Sequence, residues 1–244
     1  MQREEHARIA AAEDEHWWYR HTRRVMAQML GPWLQPDRRV LDAGCGPGGN
    51  TAWLSAYGSV VGADIAIEAL HLLKTRWPAR EAVQATILDL PFAPASFDIV
   101  VTVTVLMMLD DDARAVREVC RVLRPGGVAF FVEPAFPALR RSHDDVFSGR
   151  RRYRRPQFAS LLQEAGLSVQ RSTYAHAYLL VPAALLSMAD RVRPSRDQPA
   201  RSDLQRGHVL DPLFTGLTKV EGRLLARRNL PAGVSVVAVA TRPG

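Results

Sequence analysis

Between residues 40 and 50 the chain reads Val40-Leu41-Asp42-Ala43-Gly44-Cys45-Gly46-Pro47-Gly48-Gly49-Asn50, an apolar run that hands over to a glycine-rich turn. Glycines let backbone approach a ligand closely, and free N–H groups at the start of a following helix favour an anionic or polar group. Asp64 ends the next apolar run, placed where a carboxylate accepts bonds from ribose hydroxyls. Gly44, Gly46 and Gly49 also satisfy G-x-G-x-x-G, so the spacing alone fits a dinucleotide site and another adenosine cofactor equally. Three further features separate the two. Asp42 stands just before the first glycine, Asp89-Leu90-Pro91 follows the third apolar run and Phe97-Asp98 opens the fourth, and Leu123-Arg124-Pro125-Gly126-Gly127 leads into the fifth.

The elements that hold these residues alternate. Residues 4–30 predict one helix, amphipathic towards Val25, Met26, Met29 and Leu30 and stopped by Gly31-Pro32. Strands are predicted at 39–43, 59–64, 82–87, 97–103, 128–133, 167–173 and 234–241, with helices at 49–57, 67–77, 111–123 and 156–165. Short apolar strands alternating with helices give a doubly wound α/β fold on a mostly parallel seven-stranded sheet. An N-terminal helix precedes it, and a partly helical insertion, 178–228, interrupts the last two strands. The expected organisation is an N-terminal helical lid (1–36), a cofactor-binding core (37–134) and a substrate-side region of the same domain (135–244).

Over residues 37–134 these motifs resemble class I S-adenosylmethionine-dependent methyltransferases, in the small-molecule branch of type 11 or 12. His16-Trp17-Trp18-Tyr19, Arg151-Arg152-Tyr153 and the ending Gly233-Val234-Ser235-Val236 are similar to one bacterial subgroup of that family. The resemblance implies S-adenosylmethionine as cofactor and S-adenosylhomocysteine as product. It implies that Ala43, Gly44, Cys45 and Gly46 contact the methionine part through backbone groups. Asp64 is to hold the ribose hydroxyls and Ile65 to pack on the adenine, with Asp89 on its amino group and Leu90 beside the ring. Thr102 and Thr104 are to line the sulfonium side, and Tyr19, with Trp18 and Arg23, to form part of a lid. Asp42 either contacts the ligand or holds the turn.

A sulfonium methyl is already activated, so such an enzyme mainly has to place a nucleophile in line. A hydroxyl or protonated amine also needs a base within hydrogen-bond reach. His16, Tyr19 and His143 are the candidates, His143 because Asp144 beside it can orient it. Cys45 contributes backbone rather than a thiol nucleophile. His6, His71 and His208 read as exposed, and His176 as a packed strand end.

The 244 residues are 47% apolar and 23% charged, which excludes disorder and a pure coiled coil. Cys45 and Cys120 stand far apart without metal-type spacing, so no metal site is expected. Thirty of the 32 basic residues are Arg, and a formal charge of +7 spread along the chain is a weak sign of nucleic acid. The run Arg150-Arg151-Arg152-Tyr153-Arg154-Arg155 is the strongest case for an anionic partner, RNA or a membrane surface included. A chain of this size has no room for a separate RNA-binding module, and Thr102-Val103-Thr104-Val105 stands where base-amino methylases resemble Asn-Pro-Pro-Tyr. The expected partner is therefore a small-molecule acceptor, anionic or apolar, methylated at oxygen. An RNA methyltransferase and a non-catalytic cofactor-binding protein are the alternatives. Charged N-terminal residues predict no signal peptide and a cytoplasmic location, and the apolar stretch 178–189 reads as a core helix rather than a membrane span.

Overall fold

The computed structural model describes residues 3–141, 144–145, 147–192 and 211–244. Strands β1 (Arg38–Ala43), β2 (Gly58–Asp64), β3 (Glu81–Gln84), β4 (Phe97–Val103), β5 (Leu123–Pro134), β6 (Ser168–Ala175) and β7 (Ser235–Thr241) form one sheet in the order β3-β2-β1-β4-β5-β7-β6. Every pairing from β3 through β5 is parallel, and β7 lies antiparallel between β5 and β6. The order reverses beside β1 and β4, so the ligand-binding crevice of such a sheet lies beyond their carboxyl ends. The central strands are covered on both faces: Val40, Leu41, Val100, Val101, Phe130 and Phe131 are fully buried. Continuous apolar runs, rather than alternation, are what such strands require.

Around the sheet lie α1 (Arg3–Ala12), α2 (Trp17–Leu30), α3 (Gly49–Leu54), α4 (Ile67–Arg76), α5 (Asp112–Val122), α6 (Arg155–Glu164), α7 (Leu180–Val192) and α8 (Asp211–Leu225). The helix expected over 4–30 is two helices. A turn at Glu13–Glu15 breaks it, and His16, in extended conformation, caps the second by accepting the Trp18 N–H through Nδ1 at 3.3 Å. A capping side chain offers the backbone an alternative to continued helix, which periodicity does not reveal. α1 packs on α4 and α2 on α8, and the side chains of Glu13 and Arg23 lie against Gly49 in the turn that follows β1.

The segment 178–189 is not a core helix. It forms most of α7, on which Val181, Leu185 and Met188 are each more than 60% exposed. Among the described residues no helix is long and apolar enough to cross a membrane.

Candidate cofactor and acceptor site

The turn after β1 is built on left-handed backbone: Gly44, Gly46 and Gly48 have φ of 84°, 53° and 92°. A side chain is strained at such angles. Space is a second constraint at Gly44, where a Cβ would come within 2.2 Å of Val105 Cγ2, whereas a Cβ on Gly46 would meet nothing within 4 Å. The N–H groups of Gly44 and Cys45 donate to Ala63 O, and that of Gly46 donates to Asp64 Oδ2 at 2.8 Å. Asp64 Oδ1 accepts the Ala66 N–H, also at 2.8 Å. Asp64 is thereby fixed at the tip of β2 beside the turn.

Asp42 lies beneath the same turn, buried, and accepts the Thr51 hydroxyl at 2.7 Å. Burial pushes its carboxyl up to about 7; Glu13 and Asp64 add to the rise, while Thr51 and Arg23 oppose it. The Cys45 side chain points to Leu70 and Leu73 of α4, and burial pushes its thiol up, which suits packing and not nucleophilic attack. Ile65 is 69% exposed and Asp89 is exposed too, whereas Leu90 sits in the main core with its N–H donated to Glu118. Thr102 is buried, and its hydroxyl has no partner among the described residues; Thr104 has φ of 57° and donates to Val103 O.

Sequence reasoning missed the groups that cover this turn. Glu13 is buried, bonded to Arg76, and its Oε2 lies close enough to Gly49 to exclude a Cβ there. Arg76 Nη2 also meets Asp14 at 2.6 Å, and the guanidinium lies over Trp77. Arg23 donates to Asn50 Oδ1 at 3.2 Å, while its Nη2 is buried with no partner among the described residues. Burial lowers the Arg23 pKa, an effect that the Glu13 carboxylate opposes. Glu5 and His6 are buried as well, which corrects the reading of His6 as exposed; desolvation lowers its pKa. The Tyr19 hydroxyl is raised far above its usual range by burial, with Glu13 and Glu5 adding to it. No sequence signal marked Glu13, because the turn on which it sits falls inside the helix predicted over 4–30.

The predicted bases do not converge. His143 and His208 lie outside the described residues. His16 spends Nδ1 on the α2 cap. A different group of histidines does converge, on the far side of α2. His21 Nε2 is 2.8 Å from Glu221 Oε1 on α8, and Glu221 also accepts the His176 and Ala177 N–H groups, each at 2.6 Å. Hydropathy alone gave no reason to single out His21 or Glu221.

Three arginines of the run are paired locally. Arg150 meets Asp110, Arg151 meets Asp112 and Arg152 meets Asp144, while the buried Tyr153 donates to Asp112 Oδ2 at 2.8 Å. Paired within the chain, these guanidinium groups offer phosphates less than their number suggests.

Residues 41–131 match the family described as Methyltransferase domain, type 11. The chain is 36% identical over 122 residues to a probable S-adenosylmethionine-dependent methyltransferase of Mycobacterium tuberculosis, covering 50% of this chain and 43% of that one. It is 39% identical over 102 residues to a malonyl-[acyl-carrier protein] O-methyltransferase of Enterobacter lignolyticus, covering 41% of each. The chain thus spans less than half the length of either relative. A methyltransferase structure from Bacillus halodurans superposes with a TM-score of 0.62 at 18% identity, over 90% of this chain and 99% of that one. A sarcosine dimethylglycine methyltransferase structure from Galdieria sulphuraria gives 0.60 at 18% identity, over 91% and 85%. Motif order, strand order and these likenesses agree: residues 41–131 match the methyltransferase domain family, and about half of the chain is similar to S-adenosylmethionine-dependent methyltransferases.

Proposed function

We infer that the chain transfers a methyl group from S-adenosylmethionine to a small-molecule acceptor, at oxygen, in the cytoplasm. The observation that carries this reading is the clustering of Asp64, the Gly44–Gly46 turn and Arg23 at one carboxyl edge of the sheet. When bound, S-adenosylmethionine supplies a methyl group on a sulfonium that accepts the departing electron pair.

The residues present fit that molecule. Each Asp64 oxygen holds one backbone N–H and keeps a lone pair for a ribose hydroxyl. The exposed side chain of Ile65 offers a face to the adenine, and exposed Asp89 accepts from its amino group. The unpartnered Arg23 Nη2 takes the carboxylate of the methionine part. Asp42, Asp64 and Glu13 set a negative potential around the turn, which favours a cationic sulfur over its neutral product. Thr102 and Thr104, leaving β4, face the side from which an acceptor approaches. Methylation at oxygen is supported by the relative whose name states it.

Parallel calorimetric titrations with S-adenosylmethionine, S-adenosylhomocysteine and NAD test the reading. Micromolar binding of the two sulfur ligands and none of NAD is expected. Alanine at both Asp64 and Asp89 is expected to abolish that binding with the circular dichroism spectrum unchanged; unaltered affinity overturns these assignments.

A further inference from the structure

α7 turns its apolar side chains outward. Val181, Leu185 and Met188, spaced at four and three residues, form one stripe and are each more than 60% exposed. Among the described side chains of this helix the buried one is polar: Ser187 donates to Ala138 O at 3.0 Å. A helix that only covers a core has the reverse arrangement.

α8 continues the pattern and adds charge. Leu213 and Val220 are exposed, Leu217 between them is half-buried, and the three repeat at four and three residues. Thr218, Glu221, Gly222 and Leu225 are the buried positions, so exposed Lys219 and Arg223, one turn apart, stand on the flank turned further from the core. α2 packs beside α8, with Arg24 donating to Thr218 Oγ1 at 3.3 Å and Gln28 to Gly222 O at 3.1 Å, and it adds exposed Arg20. α2 contains no acidic residue, and Glu221 of α8 is buried. Arg20, Lys219 and Arg223 meet no carboxylate among the described residues.

Six of the eight large apolar side chains that stand exposed among the described residues belong to α7 and α8, so this is a concentration and not a scatter. The three helices start at one point. Tyr178, two residues before α7, stands 6.0 Å from Phe214 at the start of α8. Trp17, the first residue of α2, lies 6.0 Å from the one ring and 4.7 Å from the other. All three rings are half-buried. Aliphatic stripes thus meet at amphipathic aromatic rings, with unpaired cations alongside. A bilayer takes such a surface without a matching shape: aliphatic side chains enter the acyl boundary, Trp and Tyr settle at headgroup level, and Lys and Arg meet anionic headgroups.

We propose that α2, α7 and α8 form a docking surface for an anionic lipid bilayer, with Val181, Leu185, Met188, Leu213 and Val220 entering the acyl boundary. Arg20, Lys219 and Arg223 meet the headgroup phosphates, and the formal charge of +7 on the chain adds a longer-range attraction. The chain lies on the membrane and does not cross it through these elements, since no described helix is long and apolar enough to span. The proposal stands independently of the methyl-transfer reading.

The test sediments the full chain with vesicles of phosphatidylglycerol and phosphatidylcholine in equal parts, and with vesicles of phosphatidylcholine alone. Binding to the mixed vesicles is expected to be about tenfold tighter or more, and to weaken as salt rises. Leu185→Ser combined with Met188→Ser is expected to weaken that binding about tenfold with the melting temperature unchanged. Lys219→Gln combined with Arg223→Gln is expected to weaken it about tenfold as well, and to flatten its salt dependence. Failure of the wild type to sediment with the mixed vesicles overturns the proposal and leaves the surface to an acidic protein or a second copy of the chain. Wild-type binding by both variants overturns it too. A fall in the melting temperature of the Leu185→Ser, Met188→Ser variant also overturns it, because the chain itself then covers those side chains.

Discussion

The carboxylate of Glu133, near the end of β5, accepts the backbone N–H of Leu106 at 2.8 Å. It accepts those of Val105 and Met107 as well, at 3.1 and 3.0 Å, so one buried side chain fixes the whole turn that follows β4. That turn presses Val105 against Gly44. The glycine-rich loop and the end of β4 are therefore held in register by a residue that touches neither. The tie is also a source of tension. Burial pushes the Glu133 carboxyl up to about 8, although three N–H donors pull the other way.

The sign of the resulting pH dependence follows from that rise. A folded-state pKa above the unfolded value near 4.5 makes the folded state bind a proton the unfolded state has lost, so stability falls as pH climbs from about 4.5 to about 8. The slope is on the order of 1 kcal/mol per pH unit. Glu133→Gln cannot titrate and places an amide where an acceptor is needed, so it is expected to lose about 1–3 kcal/mol at pH 5. Urea unfolding of both proteins at pH 5, 6.5 and 8 is expected to show the gap closing as pH rises; a constant gap contradicts the role given to Glu133.

The fold was legible because its signals are local. Apolar runs such as Val100–Val103 and breakers such as Gly31-Pro32 and Pro125-Gly126 mark elements wherever they stand in the chain. The cofactor turn was legible for the same reason, since its glycines, Asp42 and the next acid follow one another closely. Glu13, His21, Glu133 and Glu221 were not. Each acts on a group distant in sequence, 200 residues away for His21 and Glu221 and 63 for Glu13 and Arg76, and no spacing rule connects them. His176 reads as a packed strand end, and the structure agrees: it directly follows β6 and is buried.

Asp42 is expected to couple a proton to cofactor binding. Its carboxyl is pushed up to about 7 by burial, and a sulfonium placed over the turn favours the ionised form. Binding then releases a proton below pH 7, and affinity for S-adenosylmethionine is expected to be several-fold higher at pH 8 than at pH 6. S-adenosylhomocysteine lacks the positive charge, so its affinity is expected to change less. Calorimetry at both pH values, in two buffers of different ionisation heat, counts the protons directly. Asp42→Asn is expected to flatten the dependence for S-adenosylmethionine, and a profile as steep as that of the wild type assigns the proton to another group.

Arg76 fastens the break between α1 and α2 to the glycine-rich turn. It meets Glu13 and Asp14 at the break between α1 and α2, donates to Pro47 O in the glycine-rich turn at 3.3 Å and lies over Trp77. Glu13 is buried and its carboxyl is already raised by desolvation, so loss of the guanidinium leaves it without its main counter-charge. Arg76→Ala is expected to cost about 1–3 kcal/mol. The loss is expected on the attachment of α1 to α4 rather than on the sheet, because Arg76 ends α4 and its bonds go to Glu13, Asp14 and Pro47 O. Limited proteolysis is expected to cut the variant within the first thirty-six residues several-fold faster than the wild type, with cleavage elsewhere unchanged. Stopped-flow binding then reports on the cover itself: S-adenosylhomocysteine is expected to dissociate several-fold faster from the variant. Faster proteolysis with unaltered dissociation makes the helices a structural appendage; faster dissociation makes them the lid of the cofactor site.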